Sequence, residues 1–402
     1  MTPTRRALSR TAAIAAIALV PLVAAATVSG PALAQPATAT TTATAATTTA
    51  TTTKTTASAP GDIVSARRIN APGFGYARVW QIQYLSTDTH GNSITVSGTV
   101  AVPASSYNGN RPIVGYAPGT HGLGDQCAPS RHLEDGDDQE GGLIHQYGWR
   151  GFAVAITDYE GLGTPGDHRY MVARSAGNVL LDIVRAAQRL TDAGLSKSAP
   201  VALVGYSQGG HAASWGAQLA GSYAPELNVK GVAAGGTPAN LRQVADYNSG
   251  RPNFGLVLAA GIGMDAAYPS LELESYLNDA GRAGIEQLRN SCDFSPYANK
   301  TIDDYTTSNP LATPQWQSTL DAQNVGGVAP RMPVLLYHST SDEIIPYRGA
   351  RTLRTQWCGA GVKLSFWTFY FLEHAATAAW ASPDVTSWVA DRLAGKAAGS
   401  NC

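Results

Sequence analysis

The chain alternates short apolar runs with longer stretches in which apolar residues recur every three or four positions. The first pattern is typical of buried strands and the second of helices packed on a sheet. Strands are therefore predicted at residues 77–85, 94–102, 112–117, 152–157, 201–205, 229–234, 333–338 and 364–370. Helices are predicted at residues 175–190, 208–219, 348–357 and 375–393. The alternation indicates an α/β fold with a mostly parallel sheet of about eight strands, the first two forming a hairpin.

Residues 237–329 interrupt this alternation, because they contain no clear strand. Their pattern predicts short helices at residues 241–248, 254–264, 271–278 and 283–288. A long insertion at the carboxyl edge of a parallel sheet lies over the crevice in which ligands bind. We therefore expect a helical cap over about residues 237–329. A large loop region with no gating role is the alternative.

The amino-terminal part of the chain has a different composition. Three arginines precede an apolar run at residues 11–28, and small residues follow it, which predicts a signal peptide over residues 1–34. A membrane anchor is the alternative, although Pro21 interrupts the run. Residues 35–60 are almost entirely Thr, Ala and Pro, which predicts a disordered linker. We therefore expect a secreted protein, extracellular or attached to the cell envelope, with one folded domain at residues 61–402.

Composition excludes some classes of function. The chain has 402 residues, of which 44% are hydrophobic, and its net charge of −1 gives no reason to expect a nucleic-acid partner. Four cysteines in an exported chain predict two disulfides. We favour the pairs Cys127–Cys292 and Cys358–Cys402, because the second would fasten the last residue to the domain. The two other pairings stay open.

The segment Gly205-Tyr206-Ser207-Gln208-Gly209 fits the pattern G-x-S-x-G. A predicted strand precedes it and a predicted helix follows it. In this context the serine sits on a strained turn with its hydroxyl exposed, and glycine is needed where strand and helix converge. The motif therefore predicts that Ser207 is a nucleophile. A glycine-rich turn with an incidental serine is the alternative.

A serine nucleophile needs a base, and the base needs an acid that orients it. In α/β-hydrolases the chain order is serine, acid, histidine. Asp342 follows the strand at residues 333–338 and is the predicted acid, with Glu343 as its rival. His374 is the predicted base, because it is the histidine that follows the last strand. His338 precedes the acid and breaks the order.

The oxyanion formed during acyl transfer needs two backbone N–H donors. One is predicted at Gln208, directly after the nucleophile. The other is predicted at Thr120, in the loop after the strand at residues 112–117, and its hydroxyl could add a third bond. Gly119 or His121 would serve if the loop register differs.

Neither a metal nor a nucleotide site is expected. The cysteines lack C-x-x-C spacing and the histidines are scattered along the chain. The glycines within residues 158–163 follow a strand but do not form G-x-G-x-x-G. The acidic residues 134–140 could bind a cation but are interpreted as a solvated loop. No cofactor is therefore predicted.

The chain resembles the secretory lipase family of α/β-hydrolases, which includes fungal lipases similar to lipase A of Candida and actinobacterial relatives. The resemblance covers residues 61–402 and rests on Cys127-Ala128-Pro129-Ser130, Asp158-Tyr159-Glu160-Gly161-Leu162-Gly163, Gly205-Tyr206-Ser207-Gln208-Gly209-Gly210 and Ser341-Asp342-Glu343-Ile344-Ile345-Pro346. It implies the triad Ser207, Asp342 and His374, a helical cap, both favoured disulfides and fatty-acid esters as substrates. Pro118-Gly119-Thr120 departs from the pattern and looks more like another group of lipases.

The sequence thus predicts a secreted serine carboxylester hydrolase, a lipase or esterase, that works through an acyl-enzyme. An envelope acyltransferase or a peptidase on the same fold is the alternative, and a catalytically silent exported binding protein is a further one. The expected partner is a small-molecule or lipid ester substrate, with transient contact between the cap and a lipid surface. No obligate protein partner is evident.

Overall fold

The computed structural model describes residues 58–402. The predicted signal peptide and most of the predicted linker lie outside these residues. The described part forms a nine-stranded sheet with the order β1-β2-β3-β5-β4-β6-β7-β8-β9. The strands are β1 (Ile63–Ile69), β2 (Ala77–Thr87), β3 (Ser93–Pro103), β4 (Ile113–Ala117), β5 (Ala153–Thr157), β6 (Val201–Tyr206), β7 (Val229–Gly235), β8 (Val334–Ser339) and β9 (Leu364–Phe369).

Eleven α-helices accompany these strands within the described residues. They are α1 (Pro129–Asp135), α2 (Gly141–Trp149), α3 (Ala173–Arg189), α4 (Gln208–Tyr223), α5 (Leu241–Asn248), α6 (Gly255–Ala267), α7 (Leu273–Tyr276), α8 (Asp279–Arg289), α9 (Pro314–Ala322), α10 (Tyr347–Gly359) and α11 (His374–Leu393). Short 3-10 helices lie at Asp125–Cys127, Thr191–Ala193, Pro269–Leu271, Ser295–Tyr297, Ile302–Asp304 and Pro310–Ala312.

The sheet is mostly parallel, as the sequence pattern predicted. From β5 and β4 through to β9 each neighbouring pair of strands is parallel. The pairs β1–β2, β2–β3 and β3–β5 are antiparallel, so the predicted hairpin lies toward one edge. The edge strand β1 was not predicted and raises the number of strands by one.

Helices cover both faces of the sheet, because the central strands bury both rows of their side chains. Every residue of β4 and β6 is buried. One row, which includes Ile113 and Leu203, packs with α3, α4 and α10, and the other, which includes Val114 and Val204, packs with α1, α2 and α11. The central parallel strands therefore end together at one edge, and the loops that follow them meet there.

The segment between β7 and β8 contains helices α5 to α9 and no strand of the sheet. Its apolar side chains form a separate core that also takes in residues of the loops after β4 and β5, among them Leu123 and Tyr170. Helix α9 was not predicted, and neither were α1 and α2. The segment is thus built against the carboxyl edge of the sheet.

Candidate active site

Ser207 lies between β6 and α4, at the carboxyl edge of the sheet. Its backbone has φ 58° and ψ −120°, a conformation that residues with side chains rarely adopt. A Cβ atom at Gly205 would overlap the backbone of Gly209, and one at Gly209 would overlap the Ala117 carbonyl. The turn therefore requires glycine at both positions, and it holds Ser207 in a strained conformation.

The side chains of Asp342 and His374 meet at the same edge, where Asp342 follows β8 and His374 begins α11. Nδ1 of His374 lies 2.7 Å from Oδ2 of Asp342. Because an ionised carboxylate only accepts hydrogen bonds, Nδ1 carries the proton. Burial alone would raise the pKa of Asp342, but hydrogen bonds from His338 and His374 hold it below its ordinary value. The carboxylate therefore stays ionised beside the imidazole.

His338 is a second histidine on the same carboxylate, which the sequence analysis did not foresee. Its Nε2 lies 3.2 Å from Oδ2 of Asp342 and 2.9 Å from the carbonyl oxygen of Ile345. Since both neighbours accept, Nε2 carries the proton and shares it between them. The signal in the sequence was the position of His338 on β8, four residues before the predicted acid.

Two further side chains fix the start of α11. The rival acid, Glu343, accepts the backbone N–H of His374 through Oε2 at 2.8 Å. The hydroxyl of Tyr206 donates to the carbonyl oxygen of His374 at 2.8 Å, and the two rings lie 4.8 Å apart. Glu343 therefore contacts the backbone of the predicted base, whereas Asp342 contacts its imidazole.

Ser207 and His374 line one cavity of about 630 Å³. Nε2 of His374 is buried and has no hydrogen-bond partner among residues 58–402. Because Nδ1 holds the proton, Nε2 presents a lone pair. The structure therefore places a basic nitrogen and a strained serine on the walls of the same cavity, without a hydrogen bond between them.

The predicted oxyanion donors lie beside Ser207, Thr120 in the loop after β4 and Gln208 at the start of α4. Thr120 lines the cavity, and its hydroxyl lies 2.8 Å from the hydroxyl of Tyr170. The side-chain amide of Gln208 donates to Nε2 of His168 at 3.1 Å, because Nδ1 of that histidine faces the carbonyl oxygen of Glu160. Burial lowers the pKa of His168 to about 4, so the ring is neutral and can accept. The side chains of Thr120 and Gln208 are thus fixed by Tyr170 and His168, and their backbone N–H groups are the predicted oxyanion donors.

The loop after β4 is also held by an acidic side chain. The N–H of Gly119 donates to Oε1 of Glu140 at 2.9 Å, and the hydroxyl of Tyr116 donates to Oε2 at 2.9 Å. Gly119, an alternative oxyanion donor, is therefore already engaged. Burial raises the pKa of Glu140.

The other alternative donor, His121, belongs to a buried ion pair. Its Nε2 lies 3.1 Å from Asp138, and both side chains are almost fully buried. Burial alone would lower the pKa of His121, but Asp138 and Glu140 outweigh it and raise the pKa. The interpretation of residues 134–140 as a solvated loop is therefore wrong for Asp138 and Glu140. Within residues 58–402, no group of three or more His, Cys, Asp or Glu side chains is arranged to hold a metal ion.

A second, narrower void also reaches Ser207. About 70 Å³ of it is open to a molecule the size of water, and its walls are almost wholly apolar. Most of the lining residues belong to the segment between β7 and β8, among them Leu241, Val244, Leu256, Leu277, Trp316 and Leu320. Other apolar residues of that segment, such as Phe254 and Met264, pack in its core instead. A wider cavity with polar groups among its walls and an almost wholly apolar void therefore meet at one serine.

The cysteines form the disulfides Cys127–Cys292 and Cys358–Cys402. The first joins the 3-10 helix after the oxyanion loop to the segment between β7 and β8, and Cys292 lines the cavity of Ser207. The second joins α10 to the last residue of the chain. Only the first bridge therefore lies beside the site.

Comparison with known proteins decides the family. The model of the secretory lipase family matches residues 139–401. The chain belongs to this family. A secreted triacylglycerol lipase of Malassezia furfur is 30% identical over 370 residues, which cover 85% of this secretory lipase and 74% of the relative. The crystal structure of Candida antarctica lipase A superposes with a TM-score of 0.77 at 26% identity, covering 84% of this chain and 83% of that one.

A further relative supports the assignment. Lipase A of Moesziomyces aphidis is 29% identical over 345 residues, which cover 79% of this chain and 72% of the relative. The predicted α/β-hydrolase fold, the class of carboxylic ester hydrolases and export from the cell are confirmed. Among the residues that the structure describes, no helix is both long enough and apolar enough to cross a membrane.

Proposed function

We propose that this secretory lipase cleaves fatty-acyl esters through an acyl-enzyme on Ser207. Nε2 of His374 takes the proton of the Ser207 hydroxyl while Oγ attacks the ester carbonyl. His374 then protonates the leaving alcohol, and water repeats the sequence to release the fatty acid. Asp342 keeps the proton of the neutral ring on Nδ1 and stabilises the imidazolium that forms, which the 2.7 Å contact supports.

The negative charge of the tetrahedral intermediate is stabilised by backbone N–H groups of Gln208 and Thr120. Gln208 follows the nucleophile at the start of α4, where the helix dipole also favours an anion. Hydrogen bonds that position catalytic groups commonly tighten only when substrate is bound. We therefore expect the hydrogen bond between Ser207 and His374 to form in the substrate complex.

The observation that carries this proposal is the meeting of two different cavities at Ser207. The apolar void takes the acyl chain, because each buried methylene contributes about 0.8 kcal/mol. The wider cavity has a mixed wall that includes polar side chains such as Gln139 and Asn253, and it takes the alcohol. A peptidase would need polar partners for the peptide backbone on both sides of the serine.

Contact with a lipid surface belongs to the same proposal. Long-chain esters collect in droplets and micelles, so an enzyme with an acyl-binding void gains from reaching their surface. The sequence predicts that the cap makes this contact. The similarity to relatives named lipases supports contact with a lipid surface. The exposed side chains of this chain determine where that contact is made.

The test compares two serines of the same helix region. Ser207→Ala should lower kcat on p-nitrophenyl butyrate by several orders of magnitude and abolish labelling by a fluorophosphonate. Ser214→Ala is the matched control, since Ser214 is buried in α4 and its hydroxyl has no hydrogen-bond partner among the described residues. Substantial activity in Ser207→Ala, with an unchanged circular dichroism spectrum, would overturn the proposal.

A further inference from the structure

The loop between β5 and α3 contacts both residues that are predicted to bind the oxyanion. The hydroxyl of Tyr170 lies 2.8 Å from the hydroxyl of Thr120, and Nε2 of His168 accepts the side-chain amide of Gln208 at 3.1 Å. Tyr170 is buried and is one of the residues around the apolar void. The mechanism proposed above gives this tyrosine no part, although its hydroxyl reaches the side chain of a predicted donor.

The pair of hydroxyls lies beside the nucleophile. Tyr170 and Ser207 line the apolar void together, and Thr120 and Ser207 line the wider cavity together. The contact between Thr120 and Tyr170 therefore joins the two spaces close to the residue that they share. An ester with its acyl chain in the void and its alcohol in the cavity places its carbonyl group at this junction. The reacting oxygen is thus brought next to the Thr120 side chain.

The number of protons that the two hydroxyls carry determines what their contact does. Each hydroxyl has one proton and two acceptor lone pairs. In the described part of the chain, neither hydroxyl has a hydrogen-bond partner other than the other hydroxyl. Burial raises the pKa of Tyr170 to about 12, so this tyrosine keeps its proton at neutral pH. When Tyr170 donates to Thr120, the proton of Thr120 is free for a new acceptor.

The acceptor that appears during the reaction is the oxyanion. A hydrogen bond to a charged oxygen is shorter and stronger than one to a neutral ester carbonyl, so the Thr120 proton gains most in the transition state. Hydrogen bonds in a chain polarise one another, and a bond from Tyr170 therefore makes the Thr120 hydroxyl a better donor. Stabilisation that is greater in the transition state than in the substrate complex raises kcat.

The backbone on both sides of the contact is held by other groups. The carbonyl oxygen of Thr120 accepts a hydrogen bond from Nε2 of Gln139 at 2.9 Å. On the opposite side, a Cβ atom at Gly263 of α6 would overlap the backbone of Tyr170, so this helix packs directly against it. Loss of either hydroxyl should therefore leave both loops in place. A substitution that removes one hydroxyl then tests the hydrogen bond alone.

From these contacts we infer that Tyr170 is a positioning residue that directs the Thr120 hydroxyl at the oxyanion as a third donor. The inference rests on the proposed function and adds a pair of side chains to the two backbone N–H groups. Tyr170 donates to Thr120, and Thr120 donates to the oxyanion. The sequence indicates a hydroxyl at residue 120 but not its orientation, which the contact with Tyr170 supplies.

A double-mutant cycle with p-nitrophenyl butyrate as substrate tests this arrangement. Thr120→Val removes the third donor and should lower kcat about 100-fold. Tyr170→Phe removes the orienting hydroxyl and should lower kcat about tenfold, with KM within about twofold of wild type. In the double variant Tyr170→Phe should cause almost no further loss, because it acts only through Thr120. Thr120→Ser keeps a hydroxyl and should recover most of the activity.

Tyr297→Phe is the matched control. Tyr297 is a similarly buried tyrosine whose hydroxyl donates to the carbonyl oxygen of Gly284 at 2.6 Å, and it lines neither the void nor the cavity. This variant should keep the wild-type kcat. A trifluoromethyl ketone inhibitor gives a second measurement, because it forms an oxyanion on Ser207 without releasing a product. Its inhibition constant should rise in Tyr170→Phe by the same factor by which kcat falls.

Three results would overturn the inference. They are an unchanged kcat in Thr120→Val, an equal fall in kcat caused by Tyr170→Phe with and without Thr120→Val, and an equal fall in Tyr297→Phe. Thermal melts verify that each variant is folded. None of these results would affect the proposed acyl-enzyme, because the activity and labelling of Ser207→Ala test it separately.

Discussion

His338 Nε2 lies 3.2 Å from Oδ2 of Asp342, the same carboxylate oxygen that His374 contacts at 2.7 Å. The other oxygen, Oδ1, accepts the backbone N–H groups of Ile344 and Ile345 at 3.0 and 2.7 Å. Four hydrogen bonds thus converge on one buried carboxylate. They fix its position and offset the cost of burying its charge, so the geometry of His374 depends on residues outside the predicted triad.

We expect His338 to act as a positioning residue. His338→Leu removes a hydrogen bond to a charged group, which is worth about 1.5–3 kcal/mol, so kcat should fall about tenfold or more with little change in KM. His338→Gln can still donate near the position of Nε2 and should recover most of the loss. The measurement is kcat and KM on p-nitrophenyl butyrate for both variants. Equal losses in both would indicate that His338 only fills space.

The order of the chemical groups along the chain could be predicted because the fold imposes it. Ser207, Asp342 and His374 each follow a strand, and parallel strands bring their carboxyl ends to one edge. The glycines of the turn carried a further local signal, since a Cβ at Gly205 would overlap the chain. Motif and spacing were therefore enough to predict that these three residues meet at one edge of the sheet.

The hydrogen bonds that hold the loop after β4 could not be predicted, because they join residues that are distant in the sequence. Asp138 and Glu140 stand in an acidic run that is typical of a solvated loop, yet the fold brings His121, Gly119 and Tyr116 against them. Nothing in the local sequence distinguishes these carboxylates from their exposed neighbours. Their role depends on where α2 begins relative to β4, which is a property of the whole domain.

Strand β1 and helix α9 were not predicted, and the physical reasons for the two omissions differ. Strand β1 exposes five of its seven residues, so it lacks the apolar alternation that reveals a strand, and hydrogen bonds to β2 define it. Helix α9 did carry a local signal: Thr313 accepts the N–H of Trp316 as its N-cap, and Pro314 occupies the first turn. The first omission was unavoidable from the pattern, and the second was a neglected capping motif.

Glu140 is predicted to hold the shape of the oxyanion loop. Glu140→Leu leaves the N–H of Gly119 and the hydroxyl of Tyr116 without their acceptor, and should lower kcat about 10- to 100-fold. Glu140→Gln keeps an acceptor for Gly119 and should stay within about threefold of wild type. Steady-state kinetics on a soluble ester, with thermal melts to verify folding, provide the measurement. An equally inactive Glu140→Gln would show that the charge itself is required.

The two disulfides should differ in their contributions. The bridge Cys127–Cys292 spans 165 residues and Cys358–Cys402 spans 44, so chain entropy makes the first more stabilising by about 1 kcal/mol. We expect Cys127→Ala/Cys292→Ala to lower both the denaturant midpoint and kcat, because this bridge borders the cavity of Ser207. Cys358→Ala/Cys402→Ala should lower stability alone. A pair of variants with equal kcat would contradict the special role of the first bridge.

His211 predicts a pH dependence of stability. Burial lowers its pKa to about 4, while its pKa in the unfolded chain is about 6.5. Between these values the unfolded state takes up a proton that the folded state does not, so stability is lost as the pH falls through this window, by about 3 kcal/mol at its lower end. His211→Gln keeps a donor toward the Gln323 carbonyl oxygen but does not titrate.

Urea unfolding of wild type and His211→Gln from pH 7 to pH 4 measures this contribution. Other titrating groups are common to both proteins and cancel in the difference. Wild type should be the more stable protein at pH 7, and its advantage should shrink as the pH falls. A difference in the free energy of unfolding that stays constant with pH would show that His211 already protonates in the folded state.

The apolar void should set the preference for acyl-chain length, and Gly261 offers a way to test it. Gly261 lies in α6 on the wall of the void, and a Cβ there would meet nothing within 4 Å. Wild-type kcat/KM should rise from acetate to medium-chain p-nitrophenyl esters. Gly261→Phe should fill the void and reverse this trend, since each excluded methylene costs about 0.8 kcal/mol, or roughly fourfold. Gly142→Phe, at an exposed and equally open glycine of α2, should keep the wild-type profile. A profile unchanged in Gly261→Phe would mean that the acyl chain binds elsewhere.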